Sequence, residues 1–233
     1  MKTRTNLLNL LFAYTGIAIL LTLSNSCKKD EDNTKITAGT FTDPRDGKVY
    51  KTLTIDNQTW MAENLKYLPE VMGPATGSQT TPCYYVFGYD GTIVAEAKAT
   101  DNYTTYGVLY NWSAAMSACP AGWRLPNDAE WSQLMDHLGG QDVAGGKLKE
   151  TGTSHWFDPN TGATNETGYT ALPGGRRNDD GTFLYTGYNG YWWSATEFST
   201  NTAWGRGMYY KSNGVSRDAC YKEYGFSVFC IKD

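Results

Sequence analysis

The feature that most constrains this chain is the apolar run at residues 7–23 and the segment that closes it, "LTLSNSCKKDED". Lys2 and Arg4 precede the run and small residues end it, which is the layout of a secretory signal. Asn9, Tyr14, Thr15 and Gly16 interrupt it, and it sits at the short limit for crossing a bilayer. Export delivers the rest of the chain to an oxidising compartment, where a fold can rest on disulfides. Apart from Cys27, the cysteines are Cys83, Cys119, Cys220 and Cys230. Four cysteines can pair in three ways. No spacing is CxxC, and the only histidines are His137 and His155, so these residues argue for disulfides and against a structural zinc site.

Ser26-Cys27 resembles the cleavage and lipidation site of bacterial lipoproteins, with Ser24 standing where such sites usually carry Leu. The resemblance implies a diacylglycerol on the Cys27 sulfur and an acylated amino end. Each buried methylene of such chains contributes about 0.8 kcal/mol to anchoring. The following Lys28-Lys29-Asp30-Glu31-Asp32 is similar to the signal that sends some Gram-negative lipoproteins to the outer leaflet of the outer membrane. The expectation is a signal at 1–26, a polar tether at 27–40 and a domain at 41–233. The protein would be held in the outer membrane by its lipid and displayed on the cell surface.

About 190 residues after the tether suit one domain. The net charge is −4 with both signs scattered, so no basic stripe offers itself to nucleic acid. The 17 Tyr, 8 Trp and 25 Gly suit a loop-rich extracellular domain that uses aromatic rings in its core and on its surface.

Alternation in "GKVYKTLTIDNQTWMAENL" sets Val49, Lys51, Leu53 and Ile55 against Tyr50, Thr52 and Thr54, and Asp56-Asn57 supplies the turn of a first hairpin. Residues 68–101 are broken by Pro and Gly and read as irregular with short strands. A short helix is expected over 111–118, stopped before Pro120. In "LPNDAEWSQLMDHLGG", Asn127 and Glu130 form a capping-box pattern, and Trp131, Leu134, Met135 and Leu138 make one apolar stripe. Gly139-Gly140 gives the exit. Residues 145–190 lack periodicity, and Gly174-Gly175-Arg176-Arg177 reads as a turn with two cations. Strands return in "YWWSAT", "AWGRGMYY", "GVSRDAC" and "GFSVFCIKD". The expected class is α+β, with two central helices.

Five ordered stretches, "FTDPRDGKVYKTLTIDNQTWMAENL", "YGVLYNWSAAMSACPAGWRLPNDAEWSQLMDHLGG", "NTGATNETGYTALPGGRRNDDGTF", "YWWSAT" and "GFSVFCIKD", resemble the Fibrobacter succinogenes major paralogous domain family. The resemblance implies a C-type-lectin-like fold, shared with formylglycine-generating enzymes, in which two helices pack on small antiparallel sheets under long loops. It also implies that Cys119 is tied to Cys230, leaving Cys83 to Cys220. The rival set, Cys220 with Cys230 and Cys83 with Cys119, stays open at this point.

The chemistry follows from what is present. Copper chemistry of the formylglycine-generating type needs two free thiolates, whereas four cysteines are expected in disulfides. Two histidines cannot supply a histidine-rich iron site. There is no GxSxG, HExxH or phosphate-cradling glycine loop. The expectation is therefore no catalysis, no catalytic residue and no resident cofactor. Calcium is the one metal with hard ligands at hand: Asp158, Asn160, Asn165 and Glu166 in one loop, and Asn178, Asp179 and Asp180 in another. Asn178-Asp179-Asp180-Gly181 is more simply a β-turn.

Tyr188, Tyr191, Trp192, Trp193 and Trp204 gather after the looped region. Neighbours in a strand face opposite ways, so Trp192 and Trp193 cannot enter the same core. Trp193 is expected inside, and Trp192 either on the outer face or beneath the long loops. Tyr191, Trp192 and Trp204, with Asp158, Asn160, Asn165 and Glu166, form the expected ligand set. The ligand class is carbohydrate, with a surface protein as the alternative partner.

Overall fold

The computed structural model describes residues 36–233; the signal, Cys27 and the tether up to residue 35 lie outside the described residues. The described chain begins on β1 (Thr37–Thr42), an exposed edge strand antiparallel to β2 (Val49–Ile55). The hairpin to β3 (Gln58–Met61) turns at Asp56, whose φ of 54° is the left-handed backbone that Asp tolerates in turns. Tyr50 and Thr52 point to one side of β2 and Leu53 and Ile55 to the other, and both sides are buried.

The stretch 68–101, expected to be irregular with short strands, holds β4 (Tyr84–Tyr85) and a short helix, α1 (Val94–Lys98); a second, α2 (Asp101–Tyr106), follows it before β5 (Leu109–Tyr110). Next comes α3 (Trp112–Ala118), where the sequence placed a helix. The buried Asn111 amide caps it by accepting from Ala114 N at 3.0 Å and pins β4 by accepting from Cys83 N at 2.8 Å. β6 (Trp123–Arg124) leads to α4 (Asp128–His137). Both halves of its capping box are made: Asn127 Oδ1 accepts from Glu130 N at 2.9 Å, and Glu130 Oε2 accepts from Asn127 N at 2.8 Å. Trp131, Leu134, Met135 and Leu138 are buried as the stripe predicts.

Gly139 and Gly140, at φ 96° and 103°, turn the chain into α5 (Gln141–Leu148), a helix that the sequence reading lacked. Its central Gly145 and Gly146 each weaken a helix by about 1 kcal/mol relative to Ala. They are needed because a Cβ on Gly145 would meet Gly214 O at 2.3 Å, and one on Gly146 would meet Gly162 O at 2.4 Å. Loop backbone packs directly on helix backbone there.

The last strands are β7 (Gly174–Arg177), β8 (Phe183–Thr186), β9 (Asn189–Ser199), β10 (Thr202–Tyr209), β11 (Val215–Tyr221) and β12 (Ile231–Lys232). The Gly-Gly-Arg-Arg segment is thus a strand and not the expected turn; it pairs with β8 antiparallel and meets β9 in parallel at Gly175. One five-stranded sheet runs β1-β2-β3-β12-β6, a second runs β11-β10-β9-β7-β8, and β4 and β5 form a small pair. The class is α+β, with five short helices among the described residues where two were expected.

β9 separates two buried clusters. Trp193 enters one with Tyr110, Phe226, Val228 and Cys230, and Trp192 enters the other with Trp60, Trp131, Trp156, Tyr169 and Phe229. The final segment does the same, since Phe226, Val228 and Cys230 face the first cluster and Phe229 and Ile231 the second. Period-two alternation holds, but each face has its own core.

Cys119 and Cys230 form a disulfide across 111 residues, with Cα atoms 5.9 Å apart. In the chain-entropy picture such a closure stabilises by about 4–5 kcal/mol. The second expected bond is absent: Cys83 and Cys220 are free thiols with different surroundings. Cys83 is buried with Tyr85 and Leu109 and donates to Thr81 O at 3.5 Å, while Cys220 sits at the end of β11 and donates to Asp218 O at 3.6 Å. The Cys220–Cys230 rival falls with it.

Candidate functional site

The end of β8 and the turn into β9 present two tyrosines to solvent, Tyr185 at 43% and Tyr188 at 44% exposure. Tyr185 has φ 71°, a strained backbone for a bulky residue, and Tyr188 N closes the turn by donating to Tyr185 O at 3.0 Å. Gly187 lets the loop before it approach, because a Cβ there would meet the Phe157 ring at 2.8 Å. Phe157 packs on Tyr188 with centroids 4.4 Å apart, and Tyr188 packs edge-on against Tyr210 at 5.4 Å. Strain of this kind, held by packing at an exposed turn, is a marker of functional sites.

Tyr185, Tyr188, Tyr191, Tyr209 and Tyr210, together with Arg176 and Asn189, line a hollow of about 470 Å³. A second hollow of about 340 Å³ lies beside it, between the start of α5 and β10–β11, and shares Asn189 and Tyr209 with the first. Asn189 Nδ2 donates to the Tyr191 hydroxyl at 2.8 Å, which fixes that ring's polar end. Burial pushes the Tyr191 phenol upward against the opposing charge of Arg176, so it stays neutral.

A buried cation ties the backbone around Tyr209 together. Lys149 is fully buried, and its Nζ donates to Thr161 O at 3.0 Å, Tyr209 O at 3.3 Å and Ser212 O at 2.9 Å. Burial pushes the amine down to about 8. One side chain thereby gathers the 157–163 loop and the β10–β11 turn beneath Tyr209 and Tyr210.

Arg176 and Arg177 differ sharply. Arg177 is buried and donates to Pro74 O at 2.9 Å and Glu223 O at 3.1 Å, with its guanidinium over Tyr85. The Arg176 guanidinium lies over Tyr224 at 4.9 Å, Tyr185 at 5.2 Å and Tyr191 at 5.4 Å. Its Nε is buried without an acceptor. A buried unpaired donor costs about 1–3 kcal/mol.

Of the expected ligand set, only Tyr191 lines this hollow. Trp192 is corrected: it has no exposed surface, stacks on Phe229 and donates from Nε1 to Asn64 Oδ1 at 2.8 Å under the looped region. Trp204 is also corrected as an open platform, since Arg217 covers its ring at 3.4 Å and Phe198 packs on it at 4.7 Å. Arg217 and the buried Arg206 in turn both bind Asp128 at 2.8–3.0 Å.

Within the 158–166 loop the Asn165 and Glu166 oxygens are engaged by neighbouring groups, while Asn160 Oδ1 is buried without a partner. Asn160 is buried and its amide donates to Glu150 O and Gly152 O, Asn165 Oδ1 accepts from Thr170 N at 2.8 Å, and Glu166 pairs with Lys147 at 2.9 Å. Asp158 is exposed ahead of a cis bond to Pro159. No group of three or more His, Cys, Asp or Glu that could hold a metal ion occurs among the described residues. Asp180 accepts from Thr182 N at 2.9 Å, as a turn residue does. The sequence reading missed Arg176, Tyr185, Tyr209 and Tyr210. Their signal was the density of tyrosines around "FLYTGYNGY" and "MYY".

The model of the Fibrobacter succinogenes major domain matches residues 53–232. No curated protein and no solved structure matches the chain. With most of its length covered by that match, the chain belongs to the Fibrobacter succinogenes major domain family.

Proposed function

We propose that this protein is a surface-displayed, outer-membrane lipoprotein whose domain follows the C-type-lectin-like plan and binds carbohydrate without catalysis. The tyrosine hollow is its site. The observation that carries the reading is the exposed pair Tyr185 and Tyr188, held on a strained turn opposite Arg176 and Asn189. Tyrosine rings offer rigid apolar faces to the C–H side of a sugar at low entropic cost, and their hydroxyls, with Arg and Asn, bond its polar rim. The adjoining hollow would extend the site to a second sugar unit.

Thiol chemistry has less support. Burial pushes Cys220 up to about 12, which keeps it protonated at neutral pH and unsuited to a thiolate metal site.

The test is retention of the detergent-solubilised mature protein on a broad panel of immobilised polysaccharides. Binding by the wild type, weakened about tenfold in Tyr188→Ala, is the expected result; that is 1.4 kcal/mol. Absence of retention across the panel, with one recurrent protein captured by crosslinking on whole cells, would replace this reading with a protein-interaction module. Cys27→Ser tests the anchor, since the variant should leave the membrane fraction.

A further inference from the structure

We propose that Arg176 makes the tyrosine hollow selective for a carboxylate-bearing sugar, a hexuronic acid unit within a polysaccharide; this rests on the carbohydrate reading above. Arg176 lines the hollow, yet its guanidinium donates to no oxygen and pairs with no carboxylate among the described residues. That isolation is unusual here. Arg45, Arg124, Arg206 and Arg217 each bind a carboxylate, and Arg177 is satisfied by backbone carbonyls. Arg176 alone of these interior or half-buried arginines keeps its fork free.

The fork is also aimed. Three tyrosine rings flank the guanidinium at 4.9–5.4 Å, and such cation–π contacts hold its plane without using its N–H donors. Nε is the buried, unpartnered nitrogen, so the terminal pair is the end open to the hollow. Two parallel N–H groups match the two oxygens of a carboxylate, and a charge-assisted bidentate pair is stronger than a neutral hydrogen bond. Asp179 and Asp218 stand in the neighbourhood, through Tyr224 and Cys220, but neither pairs with Arg176. Lys211 stands over the Tyr210 ring at 5.1 Å but is not among the residues that line the hollow. One aimed guanidinium fits a singly charged planar anion. A sulfate or phosphate ester also accepts a bidentate arginine, so the test below sets a sulfated glucan against the carboxylate.

The ring faces and the fork therefore specify one ligand together: a pyranose stacked on Tyr185 or Tyr188 with its exocyclic carboxylate on Arg176.

The experiment measures affinity of the mature protein in detergent for a set of polyuronates, for their methyl esters and for a sulfated neutral glucan. At least one polyuronate should bind ten or more times tighter than its ester, and Arg176→Gln should remove that difference, so that acid and ester then bind alike. Arg176→Lys should restore only part of it, because an ammonium lacks the planar fork. Competition by free glucuronate against its methyl ester on the wild-type protein gives a readout that needs no variant. Equal binding of acid and ester, tighter binding of the sulfated glucan, or binding confined to neutral glycans would each overturn the carboxylate assignment and leave the carbohydrate reading standing. No binding to any polysaccharide, charged or neutral, would remove both.

Discussion

Trp192 lies stacked on Phe229, with ring centroids 5.3 Å apart and planes 15° from parallel. Trp193, the next residue, stacks on Phe226 at 4.4 Å on the opposite side of the strand. Each indole also donates, Trp192 to Asn64 Oδ1 and Trp193 to Tyr110 O. Two cores are thereby joined through one dipeptide.

Trp192→Ala should lower stability by about 3–5 kcal/mol, the cost of emptying a large buried aromatic site. Trp192→Phe should cost less, because the stacking survives and the loss falls mainly on the unpaired Asn64 oxygen. Denaturant unfolding measures both. A loss for Trp192→Ala below about 1 kcal/mol would contradict this burial.

The cysteine assignment is directly countable. Unfolded, unreduced protein starting at residue 36 should show two free thiols, at Cys83 and Cys220. Cys119→Ala with Cys230→Ala should destabilise by up to about 4–5 kcal/mol through loss of the long closed loop. Cys220→Ala should change far less. Finding no free thiol would establish a second disulfide and refute the arrangement.

Gly145→Ala offers a test in which propensity and packing have opposite signs. Helix propensity favours Ala by about 1 kcal/mol. The new Cβ would instead strike Gly214 O, which lies 2.3 Å from its ideal position. Packing should win, giving a lower melting temperature. A stabilised variant would show that the β10–β11 turn yields easily.

Acid sensitivity should centre in part on Asp128. Burial by itself would raise its carboxyl, but hydrogen bonds and charge from Arg217 and Arg206 outweigh that and hold it below the ordinary 3.8. A carboxyl that binds protons less well in the folded state adds stability above its unfolded value and loses it as pH falls through the folded one. Stability from this cluster is thus complete above about pH 4 and disappears below it. Asp128→Asn should cost about 2–3 kcal/mol at neutral pH, mostly from leaving the buried Arg206 unpaired, since Arg217 remains in contact with water. Its melting temperature should also fall less steeply with acid than that of the wild type.

Local patterns carried much of the architecture. The Asp56-Asn57 hairpin, the helix stopped before Pro120 and the Asn127–Glu130 capping box depend on residues within a few positions of one another, so they can be read along the chain. α5 could not be read in this way. Its glycines look like loop residues until Gly162 and Gly214 are seen resting on them. The Gly-Gly-Arg-Arg strand was hidden similarly, because its pairing partners follow it at Leu184 and Gly190. Trp192 shows a subtler limit: alternation put it opposite Trp193 correctly, but alternation does not say whether the second face meets water or another core.

The site divides the same way. Of the residues that line the tyrosine hollow, Tyr191 alone belonged to the expected ligand set. Trp204 was not recognisable as occupied, because its cover, Arg217, is delivered from the neighbouring strand β11.

By itself, the amino-acid order determined the family, the α+β class and the main turn and cap signals, since these depend on short-range periodicity and side-chain chemistry. Only the tertiary structure decided which cysteines join, which tryptophans vanish into the interior and which of two adjacent arginines stays free. The physical reason is that burial and pairing depend on groups far apart in the chain. Arg177 finds its carbonyl acceptors at Pro74 and Glu223, whereas Arg176, one residue earlier and on the other side of the strand, finds tyrosine rings.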